Sequence, residues 1–132
     1  MSSSKFGAFI TAKRKAQEIS LRKMAELLDL SPAYWSDIEK GRRNPPNISK
    51  LEEIAKVLLL STQELDRMID LASEDRNEIP MDLPDYIKDS DLARTALRKA
   101  RKKDAMEGKS DITEKAWKNF IKALDEEEGS CI

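Results

Sequence analysis

Residues Ile19–Gly41 read ISLRKMAELLDLSPAYWSDIEKG. Ser20 stands where a cap belongs, because its hydroxyl can accept one of the orphan N–H groups that open a helix. The spacing predicts a helix to about Leu28, with Met24, Ala25, Leu27 and Leu28 on its inner face. Ala25 is the small position where a crossing helix can approach. Asp29 and Leu30 make a tight turn, and Asp is one of the few non-glycine residues that tolerates left-handed backbone. Ser31 caps the next helix. Pro32 takes its first position, where the missing N–H is no loss and the fixed φ is already helical. This helix runs to about Lys40 and ends at Gly41. Trp35 and Ile38 are spaced to face the core, so Trp35 reads as core rather than as an exposed wedge. Ala33, Tyr34, Ser36, Asp37 and Lys40 are left pointing elsewhere.

On the N-terminal side, Phe6 to about Glu18 reads as a helix. Phe6, Phe9 and Ile10 form its apolar face, and Arg14 and Gln17 continue the stripe. On the C-terminal side, Arg42-Arg43-Asn44-Pro45-Pro46 is a stiff, basic loop. Asn47 or Ser49 caps a helix from Ile48 to about Leu59, with Leu51, Ile54, Ala55 and Leu58 as its core stripe. Ser61-Thr62-Gln63-Glu64 is a capping box. It opens a fifth helix that carries Leu65, Met68, Ile69 and Leu71. A helix, a tight turn and a second helix with a polar outer face make the outline of a helix-turn-helix, whose second helix enters the DNA major groove.

Near Ser73 the sequence turns polar, and Pro80 and Pro84 prevent a continuous helix. The expected organisation is a flexible leader (1–5), a DNA-binding domain (6–73), a linker (74–88) and a C-terminal helical segment (89–132). Within the last, Asp89 or Ser90 caps a helix with Leu92, Ala96, Leu97 and Ala100 on one face. Ala105–Ser110 is expected as a loop around Gly108. Asp111 with Glu114 opens a final helix with Trp117, Phe120, Ile121 and Leu124 on one stripe. That stripe is expected to be buried, whether on the fifth helix, in a twofold dimer interface or against a partner protein. The fold class is therefore all-α: a five-helix helix-turn-helix domain followed by two amphipathic helices.

Composition agrees with this and excludes other classes. Only 4 Gly and 5 Pro interrupt 132 residues, and few are β-branched or aromatic, which favours helices. No apolar run is long enough to cross a bilayer and no signal-peptide core follows Met1, so a cytoplasmic location is expected. Cys131 reads as an incidental exposed thiol. The chain has no histidine, which argues against a zinc site or histidine-based acid–base chemistry. No nucleophile-plus-base pair, phosphate loop or metal-ligand spacing appears, and Asp82, Asp85, Asp89, Asp91 and Asp104 read as caps and solvated surface. Neither enzyme activity nor a cofactor is expected. The net charge is −1, yet residues 5–50 hold ten basic side chains against five acidic ones, so the positive charge coincides with the proposed motif.

The string Met24-Ala25-Glu26-Leu27-Leu28, then Leu30-Ser31-Pro32, then Trp35-Ser36-Asp37-Ile38-Glu39-Lys40-Gly41-Arg42-Arg43-Asn44-Pro45 resembles the Xre or Cro-type helix-turn-helix family of bacterial and phage repressors. The resemblance covers Thr11–Ala72, about half the chain. It implies a five-helix DNA-binding domain with Ser31–Lys40 as recognition helix. It implies that Pro32, Ala33, Tyr34 and Asp37 face base edges. Ser31, Ser36, Lys40, Arg42 and Arg43 would lie near the phosphate backbone. It also implies an ion pair between Arg14 and Glu39 that locks the first helix onto the recognition helix. Where the family often has Gln in the first turn of the second helix, this chain has Leu21, so that contact is absent or replaced by Arg22. Where the turn usually has Gly, this chain has Asp29.

The leading expectation is a sequence-specific transcriptional regulator, a repressor rather than an activator, that binds double-stranded DNA at a near-palindromic operator as a homodimer. Leu92, Leu97, Trp117, Phe120, Ile121 and Leu124 would form the dimer or partner surface. The alternative is an antitoxin-like or adaptor regulator whose C-terminal helices bind a separate effector protein.

Overall fold

The computed structural model describes residues 4–108 and 111–130, which are all-helical. The helices are α1 (Lys5–Ala16), α2 (Leu21–Leu27), α3 (Pro32–Glu39), α4 (Ile48–Leu58), α5 (Thr62–Arg76), α6 (Pro84–Asp89), α7 (Asp91–Glu107) and α8 (Asp111–Ser130). The chain divides into two compact units, the first ending at Tyr86 and the second beginning at Ile87.

The first unit is punctuated by side-chain caps. Ser4, Ser20, Ser31, Asn47 and Ser61 each accept a hydrogen bond from the backbone N–H three residues on. Such a cap contributes about 0.5–2 kcal/mol. Ser61 and Glu64 complete a reciprocal capping box.

The helix ends share one closure. After α1 to α5 a residue adopts left-handed backbone: Glu18, Asp29, Gly41, Leu59 and Asn77, with φ between 56° and 77°. The N–H of the residue that follows each then donates to a carbonyl five positions back. The pairs are Ile19 to Arg14, Leu30 to Ala25, Arg42 to Asp37, Leu60 to Ala55 and Glu78 to Ser73, at 2.8–3.2 Å. This is the Schellman motif, normally sealed by an apolar residue at that last position. Ile19, Leu30 and Leu60 pack against the core in that way. Arg42 and Glu78 are polar exceptions.

The core gathers one face from each of these helices. Phe6 and Ile10 of α1, Met24 and Ala25 of α2, Trp35 and Ile38 of α3, and Leu51 and Ile54 of α4 are all essentially inaccessible, as are Met68 and Ala72 of α5. α1 packs on both α3 and α5, and α2 packs on α3. Gly7 marks the closest approach: a Cβ there would lie 2.2 Å from the Glu39 carbonyl oxygen at the end of α3.

Several sequence expectations need correction. Leu27 is 48% exposed, because α2 is two turns long and turns Met24, Ala25 and Leu28, with Leu21 partly, toward the core. Gln17 is the exposed C-cap of α1 rather than part of its buried stripe. Ser4 and Lys5 belong to α1 rather than to a leader; Ser4 caps it, and Lys5 pairs with Glu74 at 3.1 Å. The expected boundary at residue 73 falls inside α5: Ser73 is buried, its hydroxyl donating to the Ile69 carbonyl, and the helix continues to Arg76. Met81 packs against the same core, so part of the expected linker belongs to the first unit. Residues 1–3 and Cys131 lie outside the described residues.

In the second unit, Ser90 caps α7 through the Ala93 N–H, and Arg94 clasps the end of α6 by donating to the carbonyls of Ile87 and Lys88. α7 extends to Glu107, so Ala105 and Met106 are helical rather than looped. The α7–α8 pair leaves Leu92 84%, Phe120 53%, Ile121 59% and Leu124 56% exposed, and Leu97 is also exposed. Trp117 is half-buried, edge-on to Phe120 at 6.2 Å. Among the described residues of the second unit, the expected burial of the Trp117–Leu124 stripe therefore does not occur. Periodicity fixes which residues share a face; it does not supply a covering element.

Candidate nucleic-acid interface

α3 presents opposite faces with opposite chemistry. Trp35, Ile38 and Glu39 are buried, while Pro32, Ala33, Tyr34 and Lys40 are exposed, with Ser36 and Asp37 half-exposed. Helical spacing puts Ala33, Tyr34 and Asp37 on one outer arc. The outward face is short, polar and bounded by a basic loop.

What holds that face outward is an ion pair beneath it. Arg14 Nε donates to Glu39 Oε2 at 2.7 Å, and Arg14 Nη2 donates to Glu39 Oε1 at 3.0 Å. The third guanidinium nitrogen, Nη1, donates to the Ile19 carbonyl at 2.8 Å, and the Thr11 hydroxyl donates to Glu39 Oε1 at 3.0 Å. The two side chains are only 9% and 5% exposed, so α1, α3 and the α1–α2 connection are joined at one desolvated point.

Ser31 spends a lone pair on the Tyr34 N–H at 3.1 Å, which leaves its O–H free to donate outward. Arg22 is exposed on α2. The loop after α3 does not splay freely. Arg42 Nη1 lies 3.6 Å from Asp37 Oδ1 and Arg43 Nε lies 3.7 Å from Asp37 Oδ2. The Arg43 guanidinium also sits over the Tyr34 ring, 4.7 Å from its centre. Tyr34, Asp37, Arg42 and Arg43 thus form one cluster, whereas Arg22 and Lys40 stand apart from it with no ion-pair partner among the described residues.

Two residues that sequence reasoning did not single out position this surface. Lys50 donates to the Leu28 carbonyl at 3.0 Å, tying α4 to the α2–α3 turn. Arg76, from the end of α5, donates to the Pro45 carbonyl and fixes the loop from behind. With Arg43 they give three cations, and no acid, to the wall of an open cleft that Tyr34, Asn44, Pro46 and Asn47 also line. The only local signal for either was a basic residue near a helix terminus, which is too common to be informative.

Among the described residues there is no group of three or more His, Cys, Asp or Glu side chains that could hold a metal ion. No described helix is long and apolar enough to cross a membrane.

Residues 5–68 match the family model of a helix-turn-helix domain. The chain is 37% identical over 59 residues to the uncharacterized HTH-type transcriptional regulators MT0491 and Rv0474 of Mycobacterium tuberculosis, strains CDC 1551 / Oshkosh and ATCC 25618 / H37Rv. That alignment covers 45% of this chain and 41% of each relative, so the chain matches less than half the length of these proteins. Among solved structures, the clp gene regulator ClgR from Corynebacterium glutamicum aligns with 26% identity and a TM-score of 0.45, over 70% of this chain and 86% of that one. The SinR protein/SinI protein complex aligns with 22% identity and a TM-score of 0.45, over 92% and 98% respectively.

Proposed function

We propose that the protein is a sequence-specific DNA-binding transcriptional regulator that represses by occupying a near-palindromic operator as a homodimer. The observation that carries this reading is the arrangement of α3. Its inner face is locked by Arg14–Glu39, and its outer arc of Pro32, Ala33, Tyr34 and Asp37 faces away from the core and is flanked by Arg42 and Arg43. α3 would lie in the major groove with that arc toward base edges. Arg22, Ser31, Ser36, Lys40, Arg42 and Arg43 would contact phosphate and set the register. The match to HTH-type transcriptional regulators supports the same reading.

One recognition helix makes few contacts, and pairing two multiplies the discrimination. The second unit offers the means. α7 carries six basic residues against three acidic, and α8 carries six acidic against three basic. Opposed in a twofold interface, α7 of one copy and α8 of the other cancel charge while covering Leu92, Leu97, Trp117, Phe120, Ile121 and Leu124. A separate effector protein on the same surface is the competing reading, favoured by the same exposed apolar side chains.

Sedimentation of the full chain, paired with anisotropy titration of a duplex from upstream of its own gene, tests both parts. A dimer that prefers this duplex to a scrambled one is expected. Phe120→Asp should yield monomer and shallow, weakened binding. A wild-type monomer that binds both duplexes alike would refute the reading.

A further inference from the structure

The end of α3 is one of two Schellman closures in the first unit that are sealed by a charged rather than an apolar residue. The connections after α1, α2 and α4 tuck Ile19, Leu30 and Leu60 into the core at this position. After α3 the residue is Arg42. Its N–H donates to the Asp37 carbonyl at 2.8 Å, and its side chain turns back to Asp37 Oδ1 at 3.6 Å. Arg43 approaches the other oxygen, Oδ2, at 3.7 Å while covering the Tyr34 ring. One carboxylate on the outer arc of the recognition helix therefore faces both arginines that the loop offers to phosphate. Its side chain is 32% exposed and theirs are 66% and 53% exposed, so all three remain within reach of a ligand.

We propose that Asp37 is a specificity-determining residue that acts by competition. In the free protein its carboxylate holds Arg42 and Arg43. It releases them to phosphate at low cost only where a base offers it an amino-group donor in exchange, cytosine N4 or adenine N6 in the major groove. This rests on the DNA-binding reading of α3 and adds a mechanism to it. On unrelated DNA the arginines must leave their carboxylate to reach phosphate, and the carboxylate is left among acceptors. On the right sequence the carboxylate exchanges its arginines for a base donor. Both contacts are longer than a hydrogen bond and lie at the surface, so the exchange is fast and the hold weak. A weak hold suits this role, since it opposes non-specific binding without blocking the specific complex.

The test uses the full chain, a duplex enriched by the wild-type protein from a random pool, and the pool itself, in anisotropy titrations at fixed salt. Asp37→Asn should tighten binding to the random pool by about three- to tenfold, from the worth of two surface ion pairs. It should leave binding to the enriched duplex unchanged or weaker, so the ratio falls. In an Arg42→Ala/Arg43→Ala background the same substitution should gain less than about half as much, because there is nothing left to release. An unchanged pool affinity, a preserved ratio, or a full gain in the arginine-free background would overturn the proposal; the last would mean plain repulsion of phosphate. If the pool yields no preferred duplex, the regulator reading itself fails, and this inference with it.

Discussion

Arg14 and Glu39 meet in a two-point ion pair, 2.7 and 3.0 Å long, at the crossing of α1 and α3. Every hydrogen-bonding edge of the guanidinium used here points into protein, and the carboxylate takes a further bond from Thr11. Two desolvated charges in such a setting do not by themselves make a stable protein, since burial offsets much of their attraction. They do make it costly to lose either partner. Arg14→Ala or Glu39→Ala should therefore destabilise the first unit by about 3–5 kcal/mol in urea unfolding. The Arg14→Met/Glu39→Leu pair should cost much less than the sum of its single substitutions. Additive costs would show that the two charges act separately.

Gly7 gives a test of opposite sign to ordinary helix propensity. Gly to Ala within a helix usually stabilises, by about 0.5–1 kcal/mol. Here the new methyl would meet the Glu39 carbonyl oxygen at 2.2 Å, which is backbone and cannot rotate away. Gly7→Ala should destabilise by about 1–3 kcal/mol through overpacking. A rise in Tm would show that α1 and α3 are further apart than described.

Glu64 links α5 to α1 and responds to pH. The Lys13 ammonium donates to its carboxylate, the Ser61 N–H donates to it as well, and together they hold its pKa below the ordinary carboxylate value. A carboxyl whose pKa is lower folded than unfolded adds stability above its unfolded pKa. That stability fades as pH falls through the folded value. Glu64→Gln should therefore lower Tm at neutral pH, and the gap to wild type should close as the solution is acidified below the carboxylate range. A gap that stays constant with pH would assign the effect to the capping geometry alone.

Much of the first unit could be read from its punctuation. Ser20, Asp29, Ser31 with Pro32, Asn47 and Ser61 with Glu64 each mark a helix end by chemistry local to a few residues, and the helices begin and end there. Trp35 and Ile38 lie in the core because a 3.6-residue period leaves them no other face. Features that depend on distant chain could not be read. Gly7 looks like any helical glycine until Glu39 is placed beside it. Arg76 looks like solvated helix end until Pro45 arrives. Near Ser73 the sequence turns polar and reads as a boundary, yet the Ser73 hydroxyl satisfies itself on the Ile69 carbonyl and the helix runs on. On the candidate interface, the outward arc of α3 follows from period alone. The convergence of Arg42 and Arg43 on Asp37 depends on how the chain folds back after Gly41, which spacing does not specify.

Phosphate contacts and base contacts should separate in a salt series. Lys40 and Arg22 are exposed and unpaired among the described residues, so each of Lys40→Ala and Arg22→Ala should weaken binding to every sequence alike and reduce the salt slope by about 1. Tyr34→Ala should instead lower the preference for the best duplex with little change in slope. Equal slopes for all three variants would remove the phosphate roles of the lysine and the arginine.

The most direct test is a hydroxyl-radical footprint of the full chain on the DNA upstream of its own gene. Two protected patches related by a twofold axis, with centres about one helical turn or a whole multiple of it apart, are expected from two copies of α3 held by paired second units. A single unpaired patch, or protection that follows no sequence, would contradict dimeric operator recognition.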